Sequence, residues 1–204
     1  KGMKLYYNPG ACSLSPHIVA RELGFDIQLE KVDLATKKTA SGGDYLAVNP
    51  KGYVPALQLD DGEVLTEGPA IVQYLADQKP ASGLAPANGT MARYRLQEML
   101  GYINSEIHKN FSPLFNPKTS PELRNEKIEA LQKRFGLVEK LLGDKDYLFG
   151  EQFTVADAYL FTVTNWGGFV KLDLSSFPKL LAFQKRVASR PAVQAALKAE
   201  GLAK

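Results

Sequence analysis

The chemistry this chain can do starts from its one cysteine, which lies in Asn8-Pro9-Gly10-Ala11-Cys12-Ser13-Leu14-Ser15-Pro16. The apolar run Leu5 to Tyr7 reads as a buried strand, ended by the turn pair Asn8-Pro9 and Gly10. Beyond the cysteine, Ile18, Val19 and Leu23 carry a helical spacing that Gly24 stops. Pro16 suits the first turn of that helix, where a missing N–H does little harm. Cys12 is thus expected at a strand-to-helix junction, where unpaired amides and the macrodipole favour a thiolate. A lone cysteine is more often a small buried hydrophobe. Here glycine and serine surround it, and they do not build an apolar pocket. A second group is Ser105-Glu106-Ile107-His108-Lys109. Positions 101, 105 and 108 share one helical face, so Ser105 and His108 are expected to point together at a cleft between domains. His17 reads as structural, and Lys37 and Lys38 by themselves read as a solvated face.

Composition narrows the classes. The chain has 204 residues, 45% of them hydrophobic and 23% charged, so it can bury a sizeable core. A net charge of +3 without basic clusters argues against nucleic acid. One cysteine excludes an internal disulfide framework, and with two histidines besides it argues against a zinc site, so no metal is expected. No apolar stretch approaches the roughly 18 residues that cross a bilayer, and no signal-peptide pattern opens the chain. A cytoplasmic protein with no membrane partner is expected.

The elements that must position these residues follow. Ile27 to Val32 alternates like a half-buried strand, and the polar stretch Asp33 to Gly43 reads as a loop. Asn49-Pro50-Lys51-Gly52-Tyr53-Val54-Pro55 is a rigid connection, and Pro55 admits a cis bond at a strand's entrance. Ala56 to Leu59 pairs with Val64-Leu65 across Asp60-Asp61-Gly62, and Thr66-Glu67-Gly68-Pro69 opens a helix over Ala70 to Ala76. Small residues, prolines and glycines mark a linker over 81–89. Beyond it only helical periods run: Met91 to Phe111, Pro121 to Leu142, Val155 to Phe169, Pro178 to Ala188 and Pro191 to Ala199. Thr154-Val155-Ala156-Asp157 is a capping-box variant ahead of an apolar run, with a structural role. The pattern predicts an α/β module over 3–80 and an all-helical module over 90–204.

This ordered set resembles the cytosolic glutathione transferases, and more narrowly the bacterial beta class, whose signature is a cysteine where other classes place tyrosine or serine. The matching stretches are Met3 to Tyr7, Pro9 to Leu14, Asn49 to Gly52 with Val54-Pro55, Leu65 to Gly68, Ser105 to Lys109 and Phe153 to Tyr159. The resemblance implies a thioredoxin-like first domain that binds glutathione and a helical second domain that covers an electrophile. It places Cys12 and His108 at the glutathione sulfur as catalytic residues. Val54 is assigned to the cysteinyl backbone, Glu67 and Gly68 to the γ-glutamyl end, and Lys37 to the glycine carboxylate. Ser105, His108 and Lys109 are assigned to the ligand from the second domain. The sequence departs from the pattern at Gly68, where serine is frequent, and at Gly101, where asparagine is common. Tyr7, Phe111, Phe115, Trp166 and Phe169 are candidates for the electrophile pocket, although aromatics at helical spacing more often form core. The implied activity is conjugation of glutathione to small hydrophobic electrophiles, halogenated aromatics among them. Thiol–disulfide exchange or dehalogenation through Cys12 is a further option. The partners implied are glutathione as co-substrate, the electrophile, and a second copy of the chain in a homodimer. The alternative is a non-catalytic relative that binds ligands or proteins.

Overall fold

The computed structural model describes residues 2–204. By their internal contacts these residues form two compact units, residues 2–85 with 189–204, and residues 86–188.

The first unit holds a five-stranded sheet. Strands β1 (Lys4–Tyr7), β2 (Gln28–Asp33), β3 (Lys38–Thr39), β4 (Ala56–Gln58) and β5 (Val64–Thr66) lie in the order β3-β2-β1-β4-β5. β1 pairs in parallel with β2 (Leu5 opposite Leu29) and antiparallel with β4 (Leu5 opposite Leu57). The parallel pair requires a crossover, and helix α1 (Leu14–Glu22) supplies it. The central strand therefore aims its C-terminal end, and the turn that follows, at the start of α1. Helix α2 (Tyr45–Val48) is short, and α3 (Gly68–Asp77) packs beside α1. Tyr6, Val32, Tyr45, Val54 and Ala56 form one buried cluster, which fixes the Val54 loop to the sheet. Neither β3 nor α2 has a sequence signal of its own. Two residues of β3 are too few to show alternation, and they form because Val32 and Asp33 offer an edge opposite Thr39 and Lys38. The cap on α2 is Asp44, whose carboxylate accepts the Leu46 N–H.

The second unit is helical. It contains α4 (Met91–Tyr102), a π-helical stretch Ile103–His108, α5 (Lys109–Phe111), α6 (Pro121–Leu142), α7 (Val155–Asn165) and α8 (Pro178–Ala188). The residues of α7 from Val155 to Thr164 are all buried, which makes it the central helix. Its first turn is the expected capping box, with Asp157 accepting the Thr154 N–H at 2.8 Å. The helix expected to reach Phe169 ends at Asn165, and Trp166–Gly168 tightens into a 3₁₀ turn.

Sequence position puts the last helix, α9 (Pro191–Ala199), in the second module; its contacts put it in the first unit. Apolar packing of Val193 and Ala196 is joined there by specific polar contacts. Arg190 donates two bonds to Glu22, at 2.7 and 2.9 Å, and Glu200 reaches buried His17 on α1. By contacts the stretch 189–204 groups with residues 2–85.

Candidate active site

The turn that carries Cys12 is held from both sides. The Asn8 N–H donates to Ser13 Oγ at 3.2 Å, Ser13 Oγ donates to the Asn8 carbonyl at 3.3 Å, and Asn8 Nδ2 donates to the Val32 carbonyl at 2.9 Å. Gly10, at φ 73°, takes a backbone conformation that favours glycine, and its N–H donates to Glu200 Oε1 at 3.0 Å. The other oxygen of Glu200 lies 2.6 Å from His17 Nδ1, and His17 Nε2 accepts from Arg21 Nε at 2.8 Å. His17 is fully buried, in keeping with its structural reading.

Opposite the turn runs the loop into β4, where three successive carbonyls are each engaged. Lys37 Nζ donates to Gly52 at 2.9 Å. Tyr45 Oη and Asn49 Nδ2 donate to Tyr53 at 2.6 and 2.8 Å, and Cys12 Sγ donates to Val54 at 3.1 Å. Burial pushes the Tyr45 phenol up to about 12, so it stays a donor. The Val54–Pro55 bond is cis. Gly52 sits at φ 75°, and a Cβ there would meet Leu46 Cδ2 at 3.2 Å and Lys37 Cε at 3.3 Å. A side chain there would strain this left-handed backbone and press the Leu46 and Lys37 side chains aside by a few tenths of an ångström.

The state of Cys12 differs from the expected thiolate. The residue is partly open to solvent, and its thiol is pushed up to about 12. Desolvation by the surrounding protein is the largest cause, and the Glu67 charge adds to it. The amides of Cys12 and Ser13 act the other way and lose. A helix start stabilises a thiolate by a modest amount, and here burial outweighs it. Cys12 is a neutral thiol that donates a hydrogen bond.

Glu67 and Gly68 stand at the start of α3. Glu67 has φ 73° and ψ 116°, a conformation rare for a non-glycine residue and of the kind that gathers at functional sites. Its exposed carboxylate takes Lys51 Nζ at 2.5 Å, and Lys51 also donates to Thr66 Oγ1 at 2.9 Å. Lys51 belongs to the Asn49–Gly52 stretch, which by itself does not point to Glu67. The pairing depends on the Glu67 backbone turn, which no periodicity reveals. Lys37 is also left-handed, at φ 59°.

In the second unit the π-helical stretch changes which residues share a face. Ser105 is exposed, and its hydroxyl donates back to the Gly101 carbonyl at 2.9 Å. His108 Nδ1 instead lies 2.5 Å from the Tyr159 hydroxyl, which donates to Asn104 Oδ1 at 2.9 Å. Lys109 is exposed. No sequence pattern joins Asn104 and Tyr159 to His108, because an α-helical wheel does not account for the π turn that carries Asn104 and His108. Of the aromatic candidates, Phe111 is fully buried, ringed by Phe115, Phe135 and Trp166, and serves as core. Trp166 is 7% exposed with its ring against His108, while Phe115 and Phe169 are 49% and 72% exposed. Tyr7 is half-buried, with its phenol raised by burial and then by Glu200. Among the described residues no cluster of metal-ligating side chains occurs, and no helix is long and apolar enough to cross a membrane.

Family models match both units. Residues 10–78 match the glutathione S-transferase N-terminal domain, and residues 102–191 match the C-terminal domain. Glutathione S-transferase GstA of Escherichia coli O157:H7 is 51% identical over 98% of this chain and 100% of its own. The structure of a ternary complex of BphK, a bacterial glutathione transferase, is 61% identical with a TM-score of 0.96, covering 98% of this chain and 100% of that one. A sphingomonad glutathione S-transferase complexed with glutathione and the beta class enzyme of Sphingomonas chungbukensis are each 52% identical with a TM-score of 0.94. Each match covers 98% of this chain and at least 99% of the other. A cysteine at a strand-to-helix turn, a cis proline loop facing it and an acidic residue at the next helix start occur here in a chain matched along nearly its whole length. The chain belongs to the glutathione transferase family, in its bacterial beta class, and is a transferase.

Proposed function

We propose that this protein conjugates glutathione to small hydrophobic electrophiles, with Cys12 acting as a neutral hydrogen-bond donor rather than as the nucleophile. The observation that carries this is the Cys12 Sγ–H bond to the Val54 carbonyl, made by a thiol raised to about 12. When bound, glutathione supplies the sulfur that attacks the electrophilic carbon. The Val54 carbonyl accepts the N–H of the cysteinyl residue in place of Cys12, and the released S–H turns toward the ligand sulfur. A donor placed there stabilises the ligand's thiolate without competing for the electrophile.

The remaining residues suit a small anionic peptide. Glu67 accepts from the α-ammonium, and the first amides of α3 take the γ-glutamyl carboxylate. Lys37 has three donor hydrogens, so it can keep its bond to Gly52 and still meet the glycine carboxylate. For the second unit, His108 is assigned to the ligand sulfur, and Ser105 and Lys109 to its polar groups, on the family resemblance. Tyr7, Phe115, Trp166 and Phe169 are retained as electrophile contacts. Disulfide exchange needs a Cys12 thiolate, which is scarce at neutral pH, so conjugation is preferred to it. We carry the family's homodimer over as part of the proposal, and sedimentation tests it.

Steady-state conjugation of a chloronitrobenzene, together with retention on immobilised glutathione, tests the function. Turnover by the wild type, with Cys12→Ala slowed but active, is expected. Retention without turnover across a panel of electrophiles would place the chain with the non-catalytic relatives.

A further inference from the structure

His108 is held in one orientation by neighbours that no sequence pattern joins. Its ring packs edge-on against Trp166, centroids 4.9 Å apart at 74°, and against Tyr159, 5.8 Å apart at 81°. Its Nδ1 meets the Tyr159 hydroxyl at 2.5 Å, and that hydroxyl donates to Asn104 Oδ1 at 2.9 Å. A tyrosine hydroxyl has one hydrogen. With that hydrogen on Asn104 Oδ1, the Tyr159 oxygen is the acceptor toward His108, which puts the ring proton on Nδ1. In a neutral imidazole the other nitrogen, Nε2, is then the basic one.

We propose that Tyr159 and Asn104 are positioning residues that fix His108 as the Nδ1–H tautomer, so that Nε2 is the nitrogen able to take a proton from the glutathione thiol. The inference builds on the assignment of His108 to that sulfur. The backbone explains why the three side chains meet. The π-helical stretch Ile103–His108 carries Asn104 and His108 on the same widened turn. Tyr159 is fixed from the other side, two residues after Asp157, whose buried carboxylate caps α7 and also accepts the Leu148 N–H at 2.9 Å. A ring anchored by packing on two sides and by its bond to the Tyr159 hydroxyl keeps its basic nitrogen in place.

The chain has two histidines, so nitrogen-15 histidine labelling gives two rings, and His108→Gln assigns them. The wild type is expected to show His108 protonated on Nδ1. Asn104→Leu, at an exposed position, frees the Tyr159 hydrogen for Nδ1 and is expected to move the ring proton to Nε2. Asn104→Asp keeps the acceptor and is expected to restore the Nδ1–H form. Tyr159→Phe is expected to lower kcat for conjugation about tenfold while KM for glutathione stays within about twofold. A wild-type ring protonated on Nε2, or a tautomer that ignores Asn104→Leu, overturns the relay whatever the kinetics. If His108→Gln keeps full kcat, the assignment of the ring to the sulfur fails instead, and the tautomer spectra still decide the relay.

Discussion

Cys12 is the only cysteine, so any thiol reagent reads a single site. Take the ligand-free protein and a chromogenic aromatic disulfide. With the thiol at about 12, the thiolate fraction at pH 7.5 is about 3 × 10⁻⁵, against about 0.1 for a free cysteine near 8.5. That alone slows exchange roughly 3,000-fold. A more basic thiolate is a better nucleophile, with a Brønsted slope of about 0.4–0.5, which recovers a factor of roughly 25–55 over that gap. The net expectation is a rate about 10²-fold below free cysteine. Restricted access would also slow the reaction, but equally at every pH. Deprotonation control instead gives a log rate that climbs with unit slope and no plateau through pH 10. Glu67→Gln should raise the rate at neutral pH, because the Glu67 charge helps hold the thiol protonated. A plateau with its midpoint below pH 9, or a neutral-pH rate equal to free cysteine, would refute the reasoning.

Other consequences follow from the same structure. The folded thiol keeps a proton that the unfolded chain loses above about pH 8.5, so stability should fall as pH rises from there, by about 1 kcal/mol per unit, and Cys12→Ser should flatten that slope; denaturant melts between pH 8 and 10 measure it. Asp157→Ala removes a buried acceptor from the Thr154 and Leu148 amides and should cost about 3 kcal/mol or more by thermal or urea unfolding, with Asp157→Asn costing less. Glu200→Ala takes the buried carboxylate away from His17 Nδ1 and from the Gly10 amide; a loss of about 3–5 kcal/mol and a raised KM for glutathione are expected, by unfolding and kinetics. No atom lies within 4 Å of a Cβ placed on Gly68, so Gly68→Ser fits, and its hydroxyl should lower KM for glutathione by up to about tenfold; an unchanged KM would remove Gly68 from the γ-glutamyl end.

What could be read from residues alone divides along physical lines. Elements with strong periods and marked ends, such as Pro121–Leu142 and Pro178–Ala188, lie where their patterns put them. The Thr154–Asp157 capping box was legible because its spacing is local, and so was the junction before α1. Long-range or context-set features were not legible. The Glu200–His17 pair spans 183 positions, and it ties the end of α9 to α1. The π stretch at 103–108 looks like ordinary helix in hydropathy, so a helical wheel pairs Ser105 with His108, whereas the Tyr159 hydroxyl joins His108 to Asn104. The Cys12 thiolate failed because helix-end electrostatics can be inferred from spacing, whereas the desolvation that overrides it is a property of the folded surroundings.

The central claim is that Cys12 helps glutathione ionise by donating its hydrogen bond. The direct measurement is a pH titration of the bound ligand's thiolate absorbance in the ultraviolet, in the wild type and in Cys12→Ala. Bound glutathione should titrate at least about one unit below a free thiol, and Cys12→Ala should move that midpoint upward by about one unit. A midpoint that binding does not lower, or that Cys12→Ala leaves in place, would contradict the account.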